Sequence, residues 1–268
     1  MRGAAPARRW RVPPALLLAC VAASVAARPA GAQASGAPAG RPVPFAVGER
    51  LEYDVRFGSL RVGRGAMEVQ ERTELRGRPV WHTVFSITGG IPLYRVNDRF
   101  ESWFDTVTLA SLRFHQEVDE GSYERSRRFE IFPERAVFAQ NGGEEQPSVA
   151  EPLDDGSFLY FVRTLPLTVG ATYELPRYFK PEGNPVRIRV VRRDTVTVPA
   201  GQFTALVLQP TFQTRGIFSQ NGKAEVWISD DPRRLMVQLK SKLSFGSLNL
   251  YLRSVSSPLA GGAPSPRR

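Results

Sequence analysis

The sequence predicts a mainly antiparallel, all-β domain: a strongly curved sheet or half-closed barrel wrapping one short apolar helix. Three observations predict it. Apolar and polar residues alternate with a period of two in several runs. Reversals rich in glycine, proline and asparagine separate those runs. Only the stretch 155–165 reads as a helix, and it is apolar almost all round, so it needs a sheet to cover it.

Residues 1–34 read as an export signal. Arg2, Arg8, Arg9 and Arg11 form a basic head, Pro13–Ala27 is apolar and small, and Ala30-Gly31-Ala32-Gln33-Ala34 offers Ala-x-Ala cleavage sites. The apolar run is too short to hold a bilayer of roughly 30 Å as a lasting anchor. Cleavage is expected after Ala34 or Ala32, which places the protein in the periplasm or outer envelope. Leu17-Leu18-Ala19-Cys20 resembles a lipobox, so lipidation at Cys20 is the alternative. Against it, the apolar core continues past Cys20 to Ala27 instead of ending before the cysteine. Ser35–Pro44 is a Pro/Gly/Ala linker with too few large apolar groups to fold, and 256–268 has the character of a disordered tail. One domain, 45–255, lies between them.

Within it, Leu51, Tyr53, Val55 and Phe57 point one way while Arg50, Glu52, Asp54 and Arg56 point the other. Gly63 and Gly65 interrupt the second strand where its apolar phase changes, which predicts a bulge or bend. Leu112, Phe114 and Val118 alternate with Arg113, His115 and Glu117. Asp155-Gly156-Ser157 starts the helix, Phe158, Leu159, Phe161, Val162 and Leu165 fill it, and Pro166 ends it. Val186, Ile188 and Val190 alternate with Arg187 and Arg189, and Phe203–Leu208 is apolar on both faces, as a covered strand would be. Leu235, Val237, Leu239 and Leu243 oppose Met236, Gln238, Lys240 and Lys242. Leu248, Leu250 and Leu252 oppose Asn249, Tyr251 and Arg253. Arg76-Gly77, Asn141-Gly142-Gly143, Pro199-Ala200-Gly201 and Asn221-Gly222 supply reversals.

Composition narrows the function. The formal charge of +10 falls to +5 once the five arginines of the leader are gone, and lysine occurs only at Lys180, Lys223, Lys240 and Lys242. Nucleic acid is not an expected partner; peripheral contact with anionic membrane surfaces is a minority alternative. Cys20 is the only cysteine and leaves with the leader, so the mature chain has neither disulfide nor thiol chemistry.

Four stretches resemble a known family. They are Phe45–Tyr53, Val198-Pro199-Ala200-Gly201-Gln202-Phe203-Thr204-Ala205, Glu225-Val226-Trp227-Ile228-Ser229-Asp230-Asp231-Pro232-Arg233-Arg234, and Lys242–Leu248. In order and spacing they resemble the exported bacterial proteins of domain-of-unknown-function family 3108. The resemblance implies an envelope location and a mostly β single domain, and implies no catalytic role for any residue.

Read physically, Pro199, Gly201, Asp230, Asp231, Pro232 and Arg233 form structural reversals: aspartates cap turn amides, Pro232 presets φ, and Arg233 and Arg234 neutralise the acids. A divalent cation at Asp230 and Asp231 is the functional alternative, but oxygen-ligated metals want more ligands than two neighbouring carboxylates supply. His115 sits on a polar face. His82 falls on the side of Val84, away from Trp81 and Phe85, and reads as a satisfied inner histidine. Two isolated histidines lack zinc-ligand spacing, no Gly-x-Ser-x-Gly elbow exists, and no cofactor is expected. Arg187, Arg189 and Arg193 form a candidate stripe for anionic headgroups.

Aromatic side chains exceed what a minimal core needs. Core packing is the ordinary expectation for them; if the sheet does not close fully on its helix, Phe100, Phe104, Phe158, Tyr160, Phe161 and Tyr178, with Trp227, would line an apolar pocket instead. Trp103 and Trp227 lie on polar-leaning faces and would mark a rim. The leading expectation is therefore a non-catalytic envelope protein binding a lipid or apolar ligand. A structural or assembly factor acting through protein contacts is the alternative, and a hydrolase using carboxylates and His115 the second alternative.

Overall fold

The computed structural model describes residues 42–213, 224–243 and 246–259. The leader, Cys20, most of the linker, the Asn221-Gly222 reversal and the end of the tail lie outside the described residues. Alternation becomes strand almost wherever it was read. β1 (Arg50–Phe57), β2 (Leu60–Leu75), β3 (Arg78–Ile91), β4 (Tyr94–Asp105), β5 (Ser111–Glu120), β6 (Tyr123–Phe132), β7 (Val137–Gln140) and β8 (Glu145–Pro147) form one antiparallel meander. After helix α1 (Asp155–Val162), a second meander follows: β9 (Thr172–Leu175), β10 (Val186–Val198), β11 (Gly201–Thr211), β12 (Glu225–Ser229), β13 (Met236–Leu243) and β14 (Gly246–Ser256). β1 pairs with β14, Arg50 opposite Ser256, and so fuses the two into one fourteen-stranded sheet with edges β8 and β9.

The sheet does not close by a ladder between those edges. Instead, the segments that follow each edge strand meet. The Leu153 amide donates to the Arg177 carbonyl at 2.5 Å, Phe179 donates back to Leu153 at 3.0 Å, and Ser148 Oγ donates to the Phe179 carbonyl at 2.7 Å. The half-closed barrel expected from the sequence is the observed fold.

Helix α1 is the plug. Asp154 caps it: Oδ1 accepts from the Gly156 and Ser157 amides, both at 2.8 Å, and Ser157 Oγ accepts from the Asp154 amide at 2.9 Å, a complete capping box. One end packs on β3 and β4. Phe158, Leu159 and Val162 face Ile188, Leu208, Val226, Ile228 and Met236 across the interior. Burying such side chains contributes about 1.5–3 kcal/mol each, which is why so short a helix persists.

Turns and bulges follow their residues. Arg76-Gly77 and Asn141-Gly142 adopt left-handed φ at both positions, as tight hairpins require. The Gly63 interruption is a bulge at Val62, because β1 pairs Val55 with Gly63 but Arg56 with Arg61.

Three sequence readings are corrected here. β13 does not divide into a wet and a dry face: Met236 and Gln238 are buried along with Leu235, Val237 and Leu239. A bulge at Val237, where Trp227 pairs with Gln238 but Ile228 pairs with Met236, turns Met236 to the interior, while Gln238 lies on the outer face between Trp227 and Tyr251. The stripe Arg187/Arg189/Arg193 is broken by a bulge at Val191, where Val190 pairs with Leu208 but Arg192 pairs with Val207. Parity therefore hands the third place to Arg192. Its neighbours are neutralised: Arg187 meets Glu174 at 2.7 Å and Arg192 meets Glu225 at 2.8 Å. His82 does keep the side of Val84, but that side is the outer face, where it touches Glu101 and the exposed Glu71.

Candidate functional site

The interior comes first, because the sequence pointed there. Phe104, Phe158, Tyr160, Phe161 and Tyr178 are buried, and Phe100 is partly buried against the same core. They fill space instead of bounding it: the void beside α1 measures about 10 Å³, less than one water molecule needs in comfort. Edge-to-face contacts knit them together, Phe45 to Tyr160 at 5.1 Å, Phe158 to Phe212 at 4.8 Å and Tyr178 to Phe212 at 5.2 Å. Trp227 is not with them. It lies on the outer face beneath Arg192 and Lys240, whose charged ends stand 5.6 and 5.2 Å from its ring, and its indole N–H donates to Asp194 at 3.3 Å. The expected apolar pocket is thus occupied by the aromatic side chains that were to line it.

Two buried polar groups hold this interior in register. Arg163, at the C-cap of α1, forks onto Glu49 at 2.6 and 3.0 Å and donates to the carbonyls of Pro44, Arg233 and Arg234. Asp154, fully buried, accepts from Ser102 Oγ at 2.6 Å as well as from its cap amides, and burial still pushes its carboxyl up to about 6. Its Oδ2 has no hydrogen-bond partner.

The Asp230–Arg234 reversal is structural, as read. Asp231 Oδ1 accepts from the Arg233 amide at 2.8 Å and Oδ2 pairs with the Arg233 guanidinium at 2.6 Å. Burial pushes the Asp231 carboxyl up, but Arg233 outweighs it and holds it below the usual range. Asp230 turns the other way, to Arg193 at 2.7 Å, so the two carboxylates do not converge. At the β10–β11 turn, Pro199 and Ala200 make the reversal and Gly201 opens β11 at φ +125.

Chemistry-bearing side chains gather instead on the outer face of β3–β6. Register places His82 opposite Trp103, Trp103 opposite Arg113, Glu101 opposite His115, and His115 opposite Arg128. His82 stacks on Trp103 with ring centres 4.3 Å apart, and His115 meets the indole edge-on at 4.9 Å. His82 Nε2 lies 2.9 Å from Glu101. Beside this cluster runs an open groove of about 660 Å³ lined by Arg113, His115, Ser126, Arg128, Glu130 and Asn141. Arg113 is bound to Glu130 at 2.6 Å. Asn141 Oδ1 accepts from the Arg128 amide at 2.8 Å, so what its side chain has left to offer a ligand is the donor nitrogen. Burial, then Arg113 and Arg128, hold His115 below its ordinary value, so it is neutral at pH 7. The groove offers mainly donors and suits acidic or hydroxyl-rich groups.

Sequence reasoning treated His82 and His115 as isolated because they lie 33 positions apart in the chain. Only the β3–β4–β5 register unites them. The polar-leaning position of Trp103 was the one signal available.

Comparison with known proteins agrees with the fold. The crystal structure of a β-barrel-like protein of domain-of-unknown-function family 1849 from Brucella abortus is similar at 9% identity and a TM-score of 0.50, covering 81% of this chain and 99% of that one. A candidate lipoprotein from Parabacteroides distasonis aligns at 11% identity and a TM-score of 0.37, covering 80% and 98%. A candidate exported protein with a YmcC-like fold from Bacteroides fragilis aligns at 13% and 0.30, covering 82% and 100%. No curated protein matches the sequence. The model of the family DUF3108, described as a protein of unknown function, matches residues 52–253.

Proposed function

We propose that this chain, which belongs to the DUF3108 family of proteins of unknown function, works in the bacterial envelope without catalysis. In this reading it is a filled β shell that recognises a partner through its outer face. The observation that carries it is the packing beside the helix: the void between Phe158, Leu159 and Val162 and the strands facing them is about 10 Å³, too little for an acyl chain. The basic and aromatic side chains that a partner could use stand outside, around Trp103 and the groove of Arg113 and Arg128. The leader-like N-terminus supports the envelope location. An acidic protein segment or acidic glycan matches the donors in the groove.

The test is photocrosslinking from position 126 in the native envelope, with and without Arg128→Glu. A reproducible adduct that the charge reversal abolishes is the expected result. Lipid retained stoichiometrically through native mass spectrometry would return the function to the interior and overturn this reading.

A further inference from the structure

One end of the sheet carries an unexplained concentration of exposed apolar side chains. Among the described residues, six of the ten large exposed apolar side chains are Phe57, Leu60, Ile91, Leu93, Tyr94 and Tyr123, and all lie in or beside the β1–β2, β3–β4 and β5–β6 turns. These turns are level with one another. Gly63 pairs with Gly89, which brings Leu60 to the height of Pro92; Val96 pairs with Glu120, which brings Tyr94 to the height of Ser122. The Tyr94 ring sits directly on Gly121, where a Cβ would meet it at 2.8 Å, so the second and third turns form one unit.

Leu93 is the most exposed of the six. It is fully exposed, at 105% relative accessibility, and adopts φ +69. Pro92 followed by a left-handed residue is the arrangement of a type II turn, whose third position calls for glycine. A leucine there burdens the fold with backbone strain and contributes nothing to the core. Folding alone gives no reason for it, whereas contact with something apolar does.

We propose that these three turns dock on an anionic lipid surface, inserting Leu60, Leu93 and the two tyrosine rings into the headgroup boundary. The apolar groups project from three neighbouring turns at one level, as side chains entering a flat boundary would. Tyr94 and Tyr123 have the amphipathic rings that settle at such boundaries. Arg61 and Arg95 directly follow Leu60 and Tyr94, with side-chain accessibilities of 57% and 75%, and Arg64 is also exposed. Asp119, Glu120 and Glu124 share this end; Arg95 meets Asp119 at 2.9 Å and Arg61 meets Asp54 at the longer distance of 3.7 Å, leaving Arg64, with the exposed and loosely held Arg61, to face phosphate. The proposal takes from the preceding reading only that a membrane lies nearby.

The experiment is co-sedimentation of the protein, purified from the periplasm of an expressing bacterium, with phosphatidylglycerol-containing vesicles and with pure phosphatidylcholine vesicles. Wild type is expected to prefer the anionic vesicles, and Arg61→Gln with Arg64→Gln to lose that preference. Leu93→Gly is the decisive variant: it relieves the left-handed strain, so its thermal midpoint holds or rises, while vesicle binding falls about tenfold. Unchanged binding by Leu93→Gly overturns the proposal. So does absence of vesicle binding by the wild type, including the case in which a photoreactive residue at 93 captures a protein instead. Either failure leaves the groove reading intact, because Arg128 and Trp103 lie outside the turns.

Discussion

Arg163 and Glu49 face each other across 114 residues of sequence with two parallel hydrogen bonds of 2.6 and 3.0 Å, and their side chains are 0% and 3% exposed. Three backbone carbonyls, from Pro44, Arg233 and Arg234, accept the remaining donors of the guanidinium. The opening stretch Phe45–Tyr53 and the reversal at 230–234 thus converge on one side chain at the end of α1. Phe45 and Tyr160 lie under its charge at 5.4 and 5.7 Å.

Removing either partner strands the other as a buried charge. Arg163→Met or Glu49→Gln is expected to cost about 3–5 kcal/mol, read as a fall in urea midpoint with unchanged slope. Arg163→Lys should rescue little, since an ammonium cannot reproduce the planar fork. The double change Arg163→Met with Glu49→Leu should recover much of the loss.

Asp154 makes stability depend on pH in an unusual direction. Its carboxyl is raised to about 6 in the fold against about 4 in the unfolded chain, so the folded state holds the proton more tightly. Its contribution is fully present below pH 4 and is lost as pH rises through 6, a swing of roughly 3 kcal/mol. Asp154→Asn keeps an acceptor for the cap amides and should flatten that slope. Equilibrium unfolding from pH 4 to 7 measures it; parallel curves for the two proteins would refute the assignment.

Gly63 and Gly89 face each other where β2 bulges. A Cβ on Gly63 would collide with the Thr88 carbonyl oxygen, and one on Gly89 with that of Val62. Because backbone must move, Gly63→Ala should cost roughly 1–3 kcal/mol. A Cβ on Gly58 would meet nothing within 4 Å, so Gly58→Ala isolates the strain of its φ of +59 and serves as the comparison by chemical denaturation.

A filled interior predicts its own weakness. Phe158→Ala should destabilise by about 3–5 kcal/mol and open an apolar cavity beside Ile228 and Met236. Xenon or a small aromatic such as benzene should then raise the melting temperature of the variant and leave the wild type unchanged. Equal stabilisation of both would show that the native interior is already open.

Much of the architecture was legible because strand periodicity and turn chemistry are local. β1 runs over the residues its alternation marked, and the capping box at Asp154 and Ser157 begins α1 where Asp155-Gly156-Ser157 suggested. The errors arose where local parity met a non-local event. The bulge at Val191 exchanged Arg193 for Arg192, and the bulge at Val237 turned Met236 inward. The aromatic surplus was real, but whether it bounded a space or filled one depended on how closely the sheet approaches α1.

The sequence by itself determined the class of fold, the strands its alternation marked, the start of the helix and the reversals, since each follows from a few neighbouring residues. Tertiary structure alone decided that Arg163 meets Glu49, that His82 and His115 flank Trp103, and that Leu60, Leu93 and Tyr123 share one end. Those relationships depend on strand register and sheet closure, and register is a sum of many pair contacts across the whole chain that no short stretch contains.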